Sequence, residues 1–119
     1  MERRYRLRGR NRFRGIRERG QRWVHPLAVL GGLPNGLDHT RCGFIVGRKL
    51  GGAVERNRIR RRLREAVRLS YQHMLPGWDL VWIARPPIGQ ADFGAIVAAV
   101  GYLLRQAGLQ PPPEESRHA

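Results

Sequence analysis

Two adjacent glycines, Gly51-Gly52, open a segment from about Ala53 to His73 that is apolar down one side and studded with guanidinium groups down the other. At about 100° per residue, Ile59, Leu63, Ala66, Val67, Ser70 and Met74 fall together, while Asn57, Arg60, Arg61, Arg64 and Arg68 fall opposite. This pattern predicts a helix that lays one face on a core and leaves a dense positive face uncovered. The remaining residues must then supply a surface for that helix to cover.

Short apolar runs provide it. Trp23 to Leu30 reads as a β-type run in which Pro26 either confines the strand to an edge or delays its start to Leu27. The next six residues, GGLPNG, read as a turn or loop. Arg41 to Gly47 alternates, with Cys42, Phe44 and Val46 on one face and Gly43, Ile45 and Gly47 on the other. The glycine side lets another chain approach the backbone closely. Trp78 to Ala84 is nearly all apolar, as a strand covered on both faces requires, and Arg85-Pro86-Pro87 ends it. A short basic helix is expected between Arg8 and Gly20, and an amphipathic helix from about Gln90, with Asp92 in its first turn and Gly108 as terminator. The order is thus helix, strand, strand, helix, strand, helix, which makes an α/β sandwich the natural architecture. One domain over residues 1–109 and a disordered tail over 110–119 complete the expectation.

The charge is unevenly placed. Residues 1–22 hold ten Arg and two Glu, residues 41–68 hold nine Arg, Lys49 and two Glu, and the rest sums to −2 within a net charge of +14. Two positive regions on a near-neutral body point to a polyanionic partner. Of the 23 basic residues 22 are Arg, whose planar fork grips phosphate in two places and stacks on bases, which fits a nucleic acid. The long helix adds a second attraction, because its free N–H groups and positive dipole end lie beside Arg56, Asn57 and Arg58.

Other chemistries find little support. Cys42 is the single cysteine, so no internal disulfide or cysteine-rich zinc site can form. His25, His39, His73 and His118 lack ligand spacing, and the few acids do not pair for metal-assisted phosphodiester hydrolysis. GFIVGRKLGG lacks the spacing and the final Ser/Thr of a phosphate-binding P-loop. No apolar run approaches the roughly 20 residues of a bilayer span, and the Arg-rich start lacks a secretion signal's apolar core, so a cytoplasmic location is expected.

The run Arg48-Lys49-Leu50-Gly51-Gly52-Ala53-Val54-Glu55-Arg56-Asn57-Arg58, continuing through Ile59 to Arg64-Glu65, resembles the signature of the bacterial ribonuclease P protein component. In that family a basic pair, a glycine and Ala-Val lead into Arg-Asn-Arg and a basic helix. Arg6-Leu7 followed by Phe13 and Gly20 resembles the family's N-terminal helix, and Ile83-Ala84-Arg85 followed by Pro87 resembles the end of its last strand. The resemblance implies a small two-layer α/β sandwich of order αβββαβα, ribosomal-protein-S5-domain-2-like, with a left-handed crossover. It also implies a non-catalytic subunit that binds a catalytic RNA and the 5′ leader of precursor tRNA, in an assembly that removes the leader with Mg2+ held mainly by the RNA. No dedicated metal site, membrane or obligate protein partner is implied. By the same analogy Lys49, Arg56, Asn57, Arg58, Arg60, Arg61, Arg64 and Arg68 face the catalytic RNA, and Phe13, Arg17, Arg48 and Arg85 guide the leader. Arg17 stands where the family often has a second aromatic, which exchanges stacking for a guanidinium contact.

Each assignment has a plainer competitor. Arg56 falls toward the apolar side of the wheel and either bonds loop carbonyls or touches RNA. Trp78, Trp82 and Phe44 alternate on strands, as core residues do, and Cys42 reads as a small buried hydrophobe. For the whole chain the rivals are a ribosomal or other structural RNA-binding protein, a helix-turn-helix DNA binder, which the surrounding strands disfavour, and a free-standing ribonuclease, which lacks an acid–base pair.

Overall fold

A computed structural model describes residues 2–110; the expected tail lies, from residue 111 onward, outside the described residues. In chain order the elements are α1 (Arg10–Arg19), β1 (Gln21–Val24), β2 (Ala28–Pro34), β3 (Arg41–Ile45), α2 (Ala53–Ser70), β4 (Trp78–Ala84) and α3 (Phe93–Gln106). Single turns of 3-10 helix occupy Arg3–Tyr5, Arg48–Leu50, Tyr71–His73 and Pro86–Gln90. The strands form one mixed sheet in the order β1-β2-β4-β3, antiparallel except for the parallel pair β3 and β4, which α2 connects. Among the described residues no helix is long and apolar enough to cross a membrane.

Two expectations change. The run from Trp23 to Leu30 is not one strand but a hairpin: His25 and Ala28 exchange backbone hydrogen bonds at 2.9 and 3.2 Å, and the Leu27 N–H donates to His25 Nδ1 at 3.0 Å. Pro26 sits in that turn, where its missing donor costs nothing. Gly31 to Pro34 are not a loop but the second half of β2, an inner strand paired on both sides. Local propensity loses here because the sheet needs residues without side chains. A Cβ on Gly32 would press on Leu80 and Trp78, and one on Gly31 would press on Ile16 of α1. The strand count therefore becomes the four that the resemblance implied.

The two faces of the sheet bury different partners. On one side Leu30, Cys42, Leu80 and Trp82 pack with Ile59, Leu63 and Val67 of α2 and with Ile96, Val100 and Leu103 of α3. Every residue of the expected apolar stripe is buried, although α2 ends at Ser70 and passes into the 3-10 turn Tyr71–His73, so that Met74 lies beyond the helix. At about 2 kcal/mol per fully buried aliphatic side chain, this stripe fixes α2 firmly and so fixes its basic flank. Asp92 caps α3, accepting from the Ala95 N–H at 2.8 Å, so the helix begins at Phe93, about three residues later than the sequence pattern suggested. On the other face α1 covers less: Ile16, Val81 and Leu7 are buried, with Phe13, Leu33, Ile45 and Ile83 partly so.

Candidate nucleic-acid interface

The first basic surface is the flank of α2 and the turn before it. Gly51 takes φ +132°, a conformation that favours glycine, and turns the chain from Arg48–Leu50 into the helix, whose N-cap is Gly52. Lys49, Asn57, Arg61 and Arg68 are exposed; Arg56, Arg58, Arg60 and Arg64 are half-buried. These eight residues do not have equal freedom. Arg58 bonds Glu55 at 2.6 Å and the Gly89 carbonyl at 3.0 Å, and Arg68 bonds Glu65 at 2.6 Å. The hydrogen bond to Glu55 raises the pKa of Arg58 and lowers that of Glu55. Arg56 also bonds a carbonyl at the start of the helix, its Nε donating to Gly52 at 3.4 Å, while Arg58 makes the shorter contacts that tie α2 to the turn at Gly89. Arg62, absent from the sequence-derived set, is likewise structural, donating to the Ala91 carbonyl at 3.0 Å. Among the described residues Lys49, Arg56, Arg60, Arg61 and Arg64 have no carboxylate partner.

The second surface is a groove of about 810 Å³ beside α1, lined by Phe13, Arg17, Arg10, Arg14 and Arg22, with Glu18 and Ile45. Phe13 and Arg17 are thus brought together as expected. Arg48 and Arg85 lie outside this lining. They emerge just past β3 and β4, at the same end of the sheet, and Arg85 donates to the His25 carbonyl at 3.2 Å. Arg10 and Arg14 were legible in the sequence, since positions 10, 13, 14 and 17 share one helical face. Phe13 rests on Gly43, where any Cβ would overlap its ring, so the approach expected on the glycine side of β3 is made by the protein's own helix.

An ion cluster that sequence inspection passed over holds α1 in place. Asp79 is fully buried and accepts from Arg12 Nε at 2.7 Å, Arg41 Nε and Nη2 at 2.9 and 2.7 Å, and Asn35 Nδ2 at 2.9 Å. Burial by itself raises its pKa, but the bonds from Arg41, Asn35 and Arg12 outweigh it and hold the carboxyl at about 2. The available signal was an aspartate inside an otherwise apolar strand, which has to find partners. Trp82 and Cys42 are buried, and Phe44 and Trp78 are partly buried against the same core, the placement expected of residues alternating on strands. Burial pushes the Cys42 thiol up to about 12.

The family profile described as Ribonuclease P matches residues 1–108. The chain belongs to the ribonuclease P protein family. A ribonuclease P protein component from Herpetosiphon aurantiacus is 45% identical, covering 99% of each chain. Another from Roseiflexus castenholzii is 48% identical over 92% of this chain and 90% of its own. Two solved ribonuclease P proteins share the fold. That of Staphylococcus aureus has a TM-score of 0.81 at 30% identity, covering 90% of this chain and 98% of that one. That of Thermotoga maritima has a TM-score of 0.78 at 31% identity, with 85% and 96% covered. Membership makes this chain a ribonuclease P protein component, with the RNA-binding role in tRNA processing that goes with it. In this member of the family, no three His, Cys, Asp or Glu residues among those described come together as a metal site.

Proposed function

We propose that this ribonuclease P protein is a non-catalytic subunit that binds the ribonuclease P RNA through α2 and the 5′ leader of precursor tRNA through the groove at α1. The observation that carries the proposal is the flank of α2 and the turn before it, where Arg56, Arg60, Arg61, Arg64 and, in the turn, Lys49 have no carboxylate partner among the described residues, on a helix locked to the core by its opposite face. Unneutralised guanidiniums on a rigid rod match the phosphates of a folded RNA, and Asn57 adds an exposed amide among them. Arg58 and Arg68 contribute charge from fixed positions beside Glu55 and Glu65.

The leader, a single strand, suits the second surface. Phe13, partly exposed in the groove lining, offers an aromatic ring on which a base can stack, worth about 1–3 kcal/mol, while Arg17 supplies a guanidinium where stacking ends. Arg48 and Arg85 extend the positive track beyond the groove, at the end of the sheet. Both surfaces act by screening repulsion between two RNAs and by holding the leader extended. Magnesium belongs in this reading to the RNA, and no step is routed through a metal on the protein. We place the assembly in the cytoplasm, with no obligate protein partner.

Reconstitution tests the proposal. Protein mixed with ribonuclease P RNA and precursor tRNA at low magnesium should accelerate leader removal, and protein without the RNA should leave the precursor intact. Absence of stimulation, or cleavage by protein alone, would overturn it.

A further inference from the structure

Among the described residues six acids have evident partners: Glu2, Asp38, Glu55, Glu65 and Asp79 stand in ion pairs, and Asp92 caps α3. The seventh, Glu18, takes part in no ion pair among those residues, although it is exposed in the lining of the α1 groove with Arg10, Arg14, Arg17 and Arg22. It stands next to the last residue of α1, where the helix dipole disfavours a negative charge. Neither an ion pair nor the helix end therefore accounts for a carboxylate at this position. In a groove that takes a strand of phosphates its charge has the wrong sign as well. What Glu18 does offer is a pair of acceptor oxygens in a groove whose other charged groups are all donors.

We propose that Glu18 is a specificity-determining residue that reads a guanine in the 5′ leader. Guanine is the one base with two adjacent donors on its Watson–Crick edge, N1–H and the N2 amino group, and these match the two oxygens of a carboxylate. Adenine and cytosine set a ring-nitrogen acceptor beside their amino group, and uracil sets two carbonyls around its N–H, so each turns an acceptor toward Glu18. A single strand leaves such edges free to be read. Phe13 and Glu18 line the same groove, the ring to hold a base by its face and the carboxylate to hold it by its edge. The guanidiniums around them take the flanking phosphates. Repulsion from Glu18 weakens the grip on every leader and a paired guanine restores it, so discrimination comes from a repulsive and an attractive element together. The inference rests on the α1 groove being the leader site, and adds which base that site prefers.

The test uses the protein assembled with ribonuclease P RNA, and precursor tRNAs whose leaders are uridine tracts with one guanine, adenine or cytosine moved through successive positions. Competing two precursors in one mixture gives the ratio of their kcat/KM values, which is the base preference. Guanine should be favoured about tenfold at one leader position, the effect of one charge-assisted contact. Glu18→Gln exchanges one acceptor oxygen for an amide donor. The guanine advantage should then vanish, and adenine, which pairs with an amide's donor and acceptor, should gain. Asp38→Asn removes the same charge from an exposed site outside the groove and should leave the preference intact.

Denaturation of the same variants separates reading from folding: Glu18→Gln should be as stable as the unsubstituted protein, because it breaks no ion pair. Equal use of the four bases at every position, or a guanine preference that survives Glu18→Gln, would overturn the inference and leave the leader site standing. A preference lost equally in Asp38→Asn would reduce Glu18 to a contribution to net charge and overturn it too. If precursors with a full leader and with a single-nucleotide leader bind equally well, the leader site itself falls, and the inference falls with it.

Discussion

Asp79 shows how much one carboxylate can organise. It is fully buried, and the Arg12 and Arg41 side chains that hold it are about a third exposed, so the cluster couples the interior of the sheet to its surface. A carboxyl whose folded pKa of about 2 lies below its ordinary 3.8 stabilises the protein above the higher value and ceases to do so as pH falls through the lower. Urea denaturation should therefore show a loss of about 2 kcal/mol between pH 5 and pH 2 that Asp79→Asn lacks. Near neutral pH the same substitution should cost about 3 kcal/mol, at the low end for a broken buried pair, because water reaches both guanidiniums. Identical pH profiles for the two proteins would contradict this role. Gly43 makes a second residue-scale case. Gly43→Ala must displace the Phe13 ring, so an overpacking loss of about 1–3 kcal/mol is expected by thermal denaturation, with weaker leader crosslinking from a probe at position 13. Unaltered crosslinking would separate Phe13 from the groove's function.

At the scale of elements, the three helices depend on different things. α2 and α3 bury continuous apolar stripes, which a sequence displays as spacing. The ten residues of α1 bury only Gly15 and Ile16, too little for a stable helix in isolation, so its position depends on Arg12 and on the glycines it covers. α3 begins at a side-chain cap, and Asp92→Ala should lower stability by about 1 kcal/mol without changing RNA affinity, a separation that denaturation and filter binding can check together. The strands were legible where they alternate or run apolar, as in β3 and β4. They were not legible at β1 and β2, because a histidine–proline turn lies within an apolar run and glycines fill an inner strand to make room for Ile16, Trp78 and Leu80.

For the whole molecule, a net charge of +14 held in two regions sets how binding responds to ions. If six to ten phosphates are contacted, raising salt from about 50 to 200 mM should weaken association with ribonuclease P RNA by about 10³ to 10⁵. A nearly flat salt dependence would mean that the basic flank of α2 is not the contact surface. Sequence alone determined the basic rod, its buried stripe and the glycine turn that starts it, since periodicity and charge are local properties written residue by residue. It also placed the Arg-Asn-Arg run at the offset that marks the family. Which arginines are free depended on the tertiary structure: Arg58 and Arg62 meet carbonyls about 30 residues away, and Arg12 and Arg41 meet an aspartate brought to them by β4. A guanidinium's partner is fixed by what the fold carries within hydrogen-bond reach, and separation along the chain does not reveal that distance.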